Sequence, residues 1–242
     1  MTRRSVVSLV PSLTEAVAAT APELLVGATD WCTHPADLQV TRVRGTKNPD
    51  LAAVVGLAPD LVLANEEENR PEDLRALRAA GLRVLVTEIR TLEQGFGELH
   101  RVLTEGCALP RPAWLDAAET AWAEARAEFD VRAVVPIWRK PWMVLGRDTF
   151  AGALLAHLGV HNVYAAHGER YPRVPMAKLS ERGRAELVVL PDEPYRFTAE
   201  DGPEAFPHTP AALCSGRHLT WYGPSLVEAP QALASAVRAA LR

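Results

Sequence analysis

Ser5-Val6-Val7-Ser8-Leu9-Val10-Pro11-Ser12-Leu13-Thr14-Glu15 reads as a short buried strand that runs straight into a helix. Ser5–Leu9 is mostly apolar and of strand length. Ser12-Leu13-Thr14-Glu15 has the S-x-x-E spacing of a capping box, which predicts a helix from Ser12 to about Thr20. The same alternation continues outward. Leu25–Ala28 is a second strand, and Asp50–Leu57 is a helix ended by Pro59-Asp60. Leu61–Ala64 is a strand, followed by the polar loop Asn65–Arg70. Pro71–Ala80 is a helix with proline at its start and Gly81 just past its end. Arg83–Val86 is a strand and Thr91–Glu105 a helix. Short strands alternating with helices predict an α/β fold with a mainly parallel sheet.

A different kind of segment follows. Pro110 and Pro112 introduce Ala113–Phe129, where Trp114, Ala118, Trp122, Ala125 and Phe129 recur at helical spacing along one face. This predicts a long helix. The α/β pattern then restarts, with strands at Ala133–Ile137 and Trp142–Leu145. A helix at Thr149–His157 is closed by Gly159. Met176–Arg182 is a helix, Leu187–Leu190 a strand and Leu226–Leu241 a closing helix. The halves share a pattern. Leu51–Leu57 followed by Leu61–Glu66 compares with Met176–Arg182 followed by Leu187–Glu193, each a helix, an apolar strand and an acidic loop. The expected organisation is two similar α/β lobes with mainly parallel sheets, at residues 1–107 and 131–242, joined by one long backbone helix at 108–130.

Composition bounds the function. The chain has 242 residues, 48% of them hydrophobic, with a formal net charge of −4. That is ordinary for a packed core and gives no reason to expect nucleic acid as a partner. Cys32, Cys107 and Cys214 are an odd number in no metal-type spacing, so neither a disulfide framework nor a zinc ribbon is expected. No apolar run has the length of a membrane span. Arg3-Arg4, Ser5–Val10 and Ala18–Ala21 superficially suggest a secretory leader. Pro11 and Glu15 interrupt its apolar stretch, so the expectation is mature structure and a cytoplasmic protein.

Four stretches carry a resemblance: Val7–Glu15, Leu25-Val26-Gly27-Ala28-Thr29-Asp30-Trp31-Cys32, Gly45-Thr46-Lys47-Asn48-Pro49-Asp50-Leu51, and Leu57-Ala58-Pro59-Asp60-Leu61-Val62-Leu63. In combination they resemble the helical-backbone (class III) family of ABC-transporter substrate-binding proteins, nearest to its cobalamin-receptor branch. The resemblance covers nearly the whole chain. It implies two lobes with a ligand in the cleft between them. In transporter-docking relatives an acid on one helix of each lobe pairs with permease arginines. The matching positions here are Ala52 and Ala177. That departure counts against docking to a permease.

Ligands of open α/β sheets sit beyond the carboxyl ends of the strands. By that rule Pro11–Thr14, Asp30–His34, Asn65–Arg70, Trp138–Trp142 and Pro191–Phe197 face the cleft. Tyr171, Trp221 and Tyr222 join them at places where the family carries aromatics. The candidate ligand-binding residues are Ser12, Trp31, Cys32, Asn65, Glu66, Glu67, Trp138, Arg139, Arg147, Tyr171, Asp192, Glu193, Tyr195, Trp221 and Tyr222. The aromatics suit stacking on a bulky ligand, with Trp142 better read as core. The acids at Glu66-Glu67 and Asp192-Glu193 suit a cationic group or hard metal, or simply a solvated surface. Arg139, Lys140 and Arg147 could bind an anion or pair with Glu66 and Glu67, and Asp148 could cap the next helix. Cys32 and His34, with His208 or His218, could ligate a metal, but ordinary packing is the preferred reading and no metal site is assigned. No motif supplies the base and oxyanion hole of a hydrolase.

The expected function is non-catalytic binding of a small bulky ligand, corrinoid-like or another metal chelate. The alternatives are a metal-dependent enzyme or cofactor-maturation factor, and a true importer receptor.

Overall fold

The computed structural model describes residues 4–242. Arg3, part of the leader-like segment, lies outside the described residues, as do Met1 and Thr2. The described chain forms two compact units. The first comprises the residues up to Ile89, Glu93–Ala117 and Tyr222–Pro224, and the second comprises Arg90–Leu92, Ala118–Trp221 and Ser225–Arg242.

In the first unit the elements run β1 (Val6–Ser8), α1 (Pro11–Ala18), β2 (Leu25–Ala28), β3 (Thr41–Arg42), β4 (Arg44–Gly45), β5 (Asn48–Pro49), α2 (Leu51–Gly56), β6 (Leu61–Asn65), α3 (Pro71–Ala79), β7 (Val84–Thr87) and α4 (Leu92–His100). A π-helical turn at Arg101–Gly106 extends α4. Five strands form one sheet in the order β3-β2-β1-β6-β7, and every pairing in it is parallel. β1 and β6 are central and buried along their whole length, which is why both read as continuous apolar runs. β4 and β5 form a small antiparallel hairpin.

The helix starting near Ser12 is present, but the capping box is not. Pro11 occupies the first turn of α1 and Val10 stands at the N-cap without a side-chain bond. Ser12 and Glu15 are buried inside the helix. The proline sets φ for the first turn and starts the helix one residue early. Asp50, by contrast, does cap: its carboxylate accepts from the Ala53 N–H at 3.0 Å.

Helix α5 spans Ala113–Glu124 and is divided between the units after Ala117. It is shorter than the expected Ala113–Phe129, and its apolar face is kept at Leu115, Ala118 and Trp122, all buried. The Trp122 indole N–H donates to the Leu226 carbonyl at 3.0 Å.

The second unit contains β8 (Val131–Val134), β9 (Pro136–Trp138), β10 (Met143–Val144), α6 (Phe150–His157), β11 (Val160–Asn162), α7 (Met176–Leu179), β12 (Leu187–Pro191), β13 (Ala211–Cys214), α8 (Gly216–Thr220) and α9 (Ala229–Ala240). Its parallel sheet has the order β11-β8-β12-β13. The second strand of that sheet in chain order lies beside the first on one side, and the third and fourth follow on the other. β2-β1-β6-β7 has that same order in the first unit. The fold is α/β with mainly parallel sheets, and β9 and β10 form a short antiparallel pair. Among the described residues no helix is long and apolar enough to cross a membrane.

Candidate functional site

In the first unit, side chains from the carboxyl ends of β1, β6 and β7 build a polar rim. Asn65 is the last residue of β6 and Thr87 the last of β7. The Asn65 amide donates to the Thr87 carbonyl at 3.1 Å and hydroxyl at 3.0 Å. Its carbonyl oxygen accepts from the Glu67 N–H at 2.9 Å and the Glu68 N–H at 3.3 Å. Asn69 closes the turn: its Oδ1 accepts from Asn65 N–H at 2.9 Å, and its amide reaches the Thr46 carbonyl at 3.0 Å. The acidic stretch is therefore a fixed turn, in which Glu66 is exposed and Glu67 and Glu68 are half-buried.

Around that turn, Lys47 donates to the Glu67 carbonyl. Burial pushes the Glu68 carboxyl up, Lys47 acts to lower it and Glu67 adds to the rise. Tyr222 closes the rim from far along the chain. It is buried, and its phenol hydrogen-bonds Ser12 and Thr87. Burial and the Glu68 charge push that phenol well above its usual range.

Trp31 is 66% exposed, and a Cβ on Gly45 would sit 3.3 Å from its indole nitrogen. The loop after β2 therefore presents an indole that packs edgewise on the β4–β5 hairpin. Cys32 corrects an expectation. It is fully buried, accepts from the Thr14 hydroxyl at 2.9 Å and lies 3.2 Å from Thr29 Oγ1. Burial raises its thiol pKa despite those bonds. It is a core residue, which removes the thiol from any Cys32–His34 ligand pair.

The second unit presents an aromatic shelf. Trp138 ends β9 and is 43% exposed, and its ring meets Tyr195 edge-to-face at 5.8 Å. Tyr195 continues to Phe197 at 4.7 Å. Trp142 stacks on Phe197 at 6.0 Å and meets Phe206 at 5.7 Å, so it packs with the core as expected. Arg139 differs from expectation. Its guanidinium pairs with Asp201 and with Glu204 at 2.6 Å, and it lies over the Trp142 ring at 5.3 Å. Each of its terminal nitrogens is therefore held by a carboxylate of the same unit.

The remaining residues of this unit divide by exposure. Asp192 accepts from the Gly216 N–H at 2.6 Å and Glu193 from the Trp221 indole at 3.0 Å. Trp221 is 7% exposed, so it braces the loop rather than offering a stacking face. Tyr171 is half-buried beside the Arg170 guanidinium at 5.9 Å. Arg147 is exposed and stands 3.6 Å from Asp148. Asp148 does not cap α6. It adopts a left-handed φ of 50°, and Thr149 caps instead, accepting from Gly152 N–H at 3.3 Å.

Sequence reading placed Glu68 and Asn69 in the loop facing the site but missed Lys47, Thr87, Asp201 and Glu204 as architects of these two surfaces. The only signal for the last two was the turn-forming Asp201-Gly202-Pro203. Among the described residues no three His, Cys, Asp or Glu side chains gather as metal ligands. A groove of about 580 Å³ in the second unit is lined by Arg132, His161, Arg182 and Arg184. It is away from the aromatic shelf, and Arg184 is paired with Glu181 at 2.7 Å.

No protein-family model matches the chain. It is 25% identical over 193 residues to the vitamin B12-binding protein of Photorhabdus laumondii, covering 76% of this chain and 70% of that one. The periplasmic vitamin B12 binding protein BtuF of Vibrio cholerae superposes with a TM-score of 0.74 at 18% identity, over 99% of this chain and 98% of that one. The periplasmic heme-binding protein RhuT of Roseiflexus sp. RS-1 superposes at 0.76 with 19% identity, over 97% and 99%. The fold is that of these periplasmic binding proteins. The periplasmic-binding fold accounts for the repeated strand order, and the proteins that share it here are named for binding rather than for catalysis. Their location overturns the cytoplasmic expectation. Pro11 and Glu15 do belong to helix α1 of the folded unit, as expected of mature structure, so the correction concerns the location alone.

Proposed function

We infer that the chain is a periplasmic, non-catalytic binding protein of the helical-backbone substrate-binding type, and that its ligand is a bulky, largely flat molecule such as a corrinoid or another metal chelate. One observation carries the reading. Each unit exposes a tryptophan, Trp31 on the loop after β2 and Trp138 at the end of β9. An exposed indole offers a broad face on which a flat ligand can stack. The vitamin B12-binding relatives supply the ligand class. Trp31, Glu66 and Glu67 of the first unit, with Trp138, Tyr171, Asp192 and Tyr195 of the second, make ligand contact. Ser12, Asn65, Glu193, Trp221 and Tyr222 brace them from beneath. Arg147 remains a candidate for an anionic ligand group. Residues 1–107 and 131–242 act as the two lobes, with 108–130 as the connecting segment that carries α5 (Ala113–Glu124).

Ala52 and Ala177 are both exposed. Without a carboxylate at either, this chain does not dock a permease through an acid on each lobe. The test is an absorbance titration of the purified protein with cyanocobalamin. Saturable binding with a spectral shift is expected. No binding of cyanocobalamin, or metal-dependent turnover, would sink the reading.

A further inference from the structure

Arg139 stands beside the exposed Trp138, where a cation would be available to an acidic ligand, yet its guanidinium is only 20% exposed and is held by two carboxylates. Nη1 pairs with Asp201 Oδ1, Nη2 pairs with Glu204 Oε1 at 2.6 Å, and the guanidinium face covers Trp142. The loop that supplies both acids is fixed before any ligand arrives. Its Asp201 N–H donates to Thr198 Oγ1 at 3.1 Å, and the Glu204 carboxylate accepts from the Gly202 N–H at 2.5 Å. Asp201 also accepts a hydrogen bond from the Tyr195 hydroxyl, at 2.6 Å on Oδ2. The shelf thus shows a ligand aromatic rings, while one cation and two anions behind them sum to a negative charge. A ligand carboxylate brought against Arg139 meets the two carboxylates that already hold its terminal nitrogens. An amide or alkyl edge meets no such penalty.

Resting on the binding function inferred above, we propose that Asp201 and Glu204 are specificity-determining residues that withhold Arg139 from the ligand and so reject planar ligands with ionised carboxylate edges. They touch no ligand themselves and act through Arg139 and Tyr195. A macrocycle with an amide periphery is accepted, and one with propionate-type arms is disfavoured.

The experiment compares cyanocobalamin, which has an amide periphery, with haem, which carries two carboxylates, as titrants of wild type, D201N/E204Q and R139Q/D201N/E204Q. In D201N/E204Q the preference for cyanocobalamin over haem should fall about tenfold, because the freed guanidinium can now pair with a carboxylate. Adding R139Q should return the preference towards wild type. A merely structural role would weaken both ligands alike and would not respond to R139Q. Lys140 and Arg196 are unchanged in all three proteins and cancel from the comparison. If the double variant fails to fold, E204Q alone carries the test with a smaller shift in the same direction. Cyanocobalamin binding with an unaltered preference overturns this proposal alone. Binding of neither ligand by wild type overturns the binding function and the proposal with it.

Discussion

The side-chain amide of Asn65 donates to both the carbonyl and the hydroxyl of Thr87, tying the carboxyl ends of two neighbouring strands together. The other end of the same amide holds the acidic turn through the Glu67 and Glu68 N–H groups. Asn65→Ala removes the acceptor of the part-buried Glu67 and Glu68 N–H groups, while Thr87 keeps its bonds to Glu66 and Ala64, and should cost about 1–2 kcal/mol, measured as a lower urea midpoint. Its effect on ligand affinity should come through Glu66 and Glu67. A variant as stable as wild type would mean that water replaces the amide.

Exposure separates the tryptophans. Trp31→Ala and Trp138→Ala remove indoles that are 66% and 43% exposed, so their urea midpoints should stay close to wild type while ligand affinity falls severalfold. Trp221→Ala removes a buried indole and its bond to Glu193, and should cost roughly 3–5 kcal/mol of stability. Unchanged affinity in both exposed-tryptophan variants would contradict the aromatic ligand surface.

Glu68 predicts a pH dependence. Burial raises its folded pKa above the unfolded value. The folded state therefore holds the proton more tightly, and Glu68 makes stability fall as pH rises from the ordinary carboxylate range through the raised pKa. Above that window the loss is complete. Glu68→Gln should flatten this part of the profile and leave the protein more stable than wild type at neutral pH. Urea midpoints from pH 4 to 7 check this, and parallel curves for the two proteins would refute it.

The three thiols should be unreactive in the native protein. Cys32 and Cys107 are buried, with burial pushing the Cys107 thiol to about 11 and the half-buried Cys214 to about 12. A thiolate-specific reagent at pH 8 should label none within minutes and all of them in denaturant. Fast native labelling at Cys32 would reopen a chemical role for that residue.

The strands were legible in the sequence because they are central. Val6–Ser8, Leu61–Asn65 and Leu187–Pro191 are buried throughout and show as apolar runs. The edge elements were not. Thr41–Arg42 is exposed at both residues, and Ala211–Cys214 mixes buried with open positions, so neither carries a hydrophobic signature. Met176–Arg182 shrank to a single turn ending at Leu179, since tertiary packing rather than propensity sets so short a helix. Trp31 could be placed on a surface loop from chain position alone, whereas Trp138, expected on a loop, ends strand β9. The partners of Arg139 could not, because Asp201 and Glu204 lie more than sixty residues on in a loop without a motif.

Tyr222 completes the first unit from near the end of the chain, and its bonds to Ser12 and Thr87 have an order in time. The strands of the first unit's sheet are all synthesised well before Tyr222. The rim around Glu68 stays open until Tyr222–Pro224 is synthesised. A nascent chain stalled before Tyr222 would carry a nearly finished unit with its ligand-side polar groups in water, poised for a chaperone or protease.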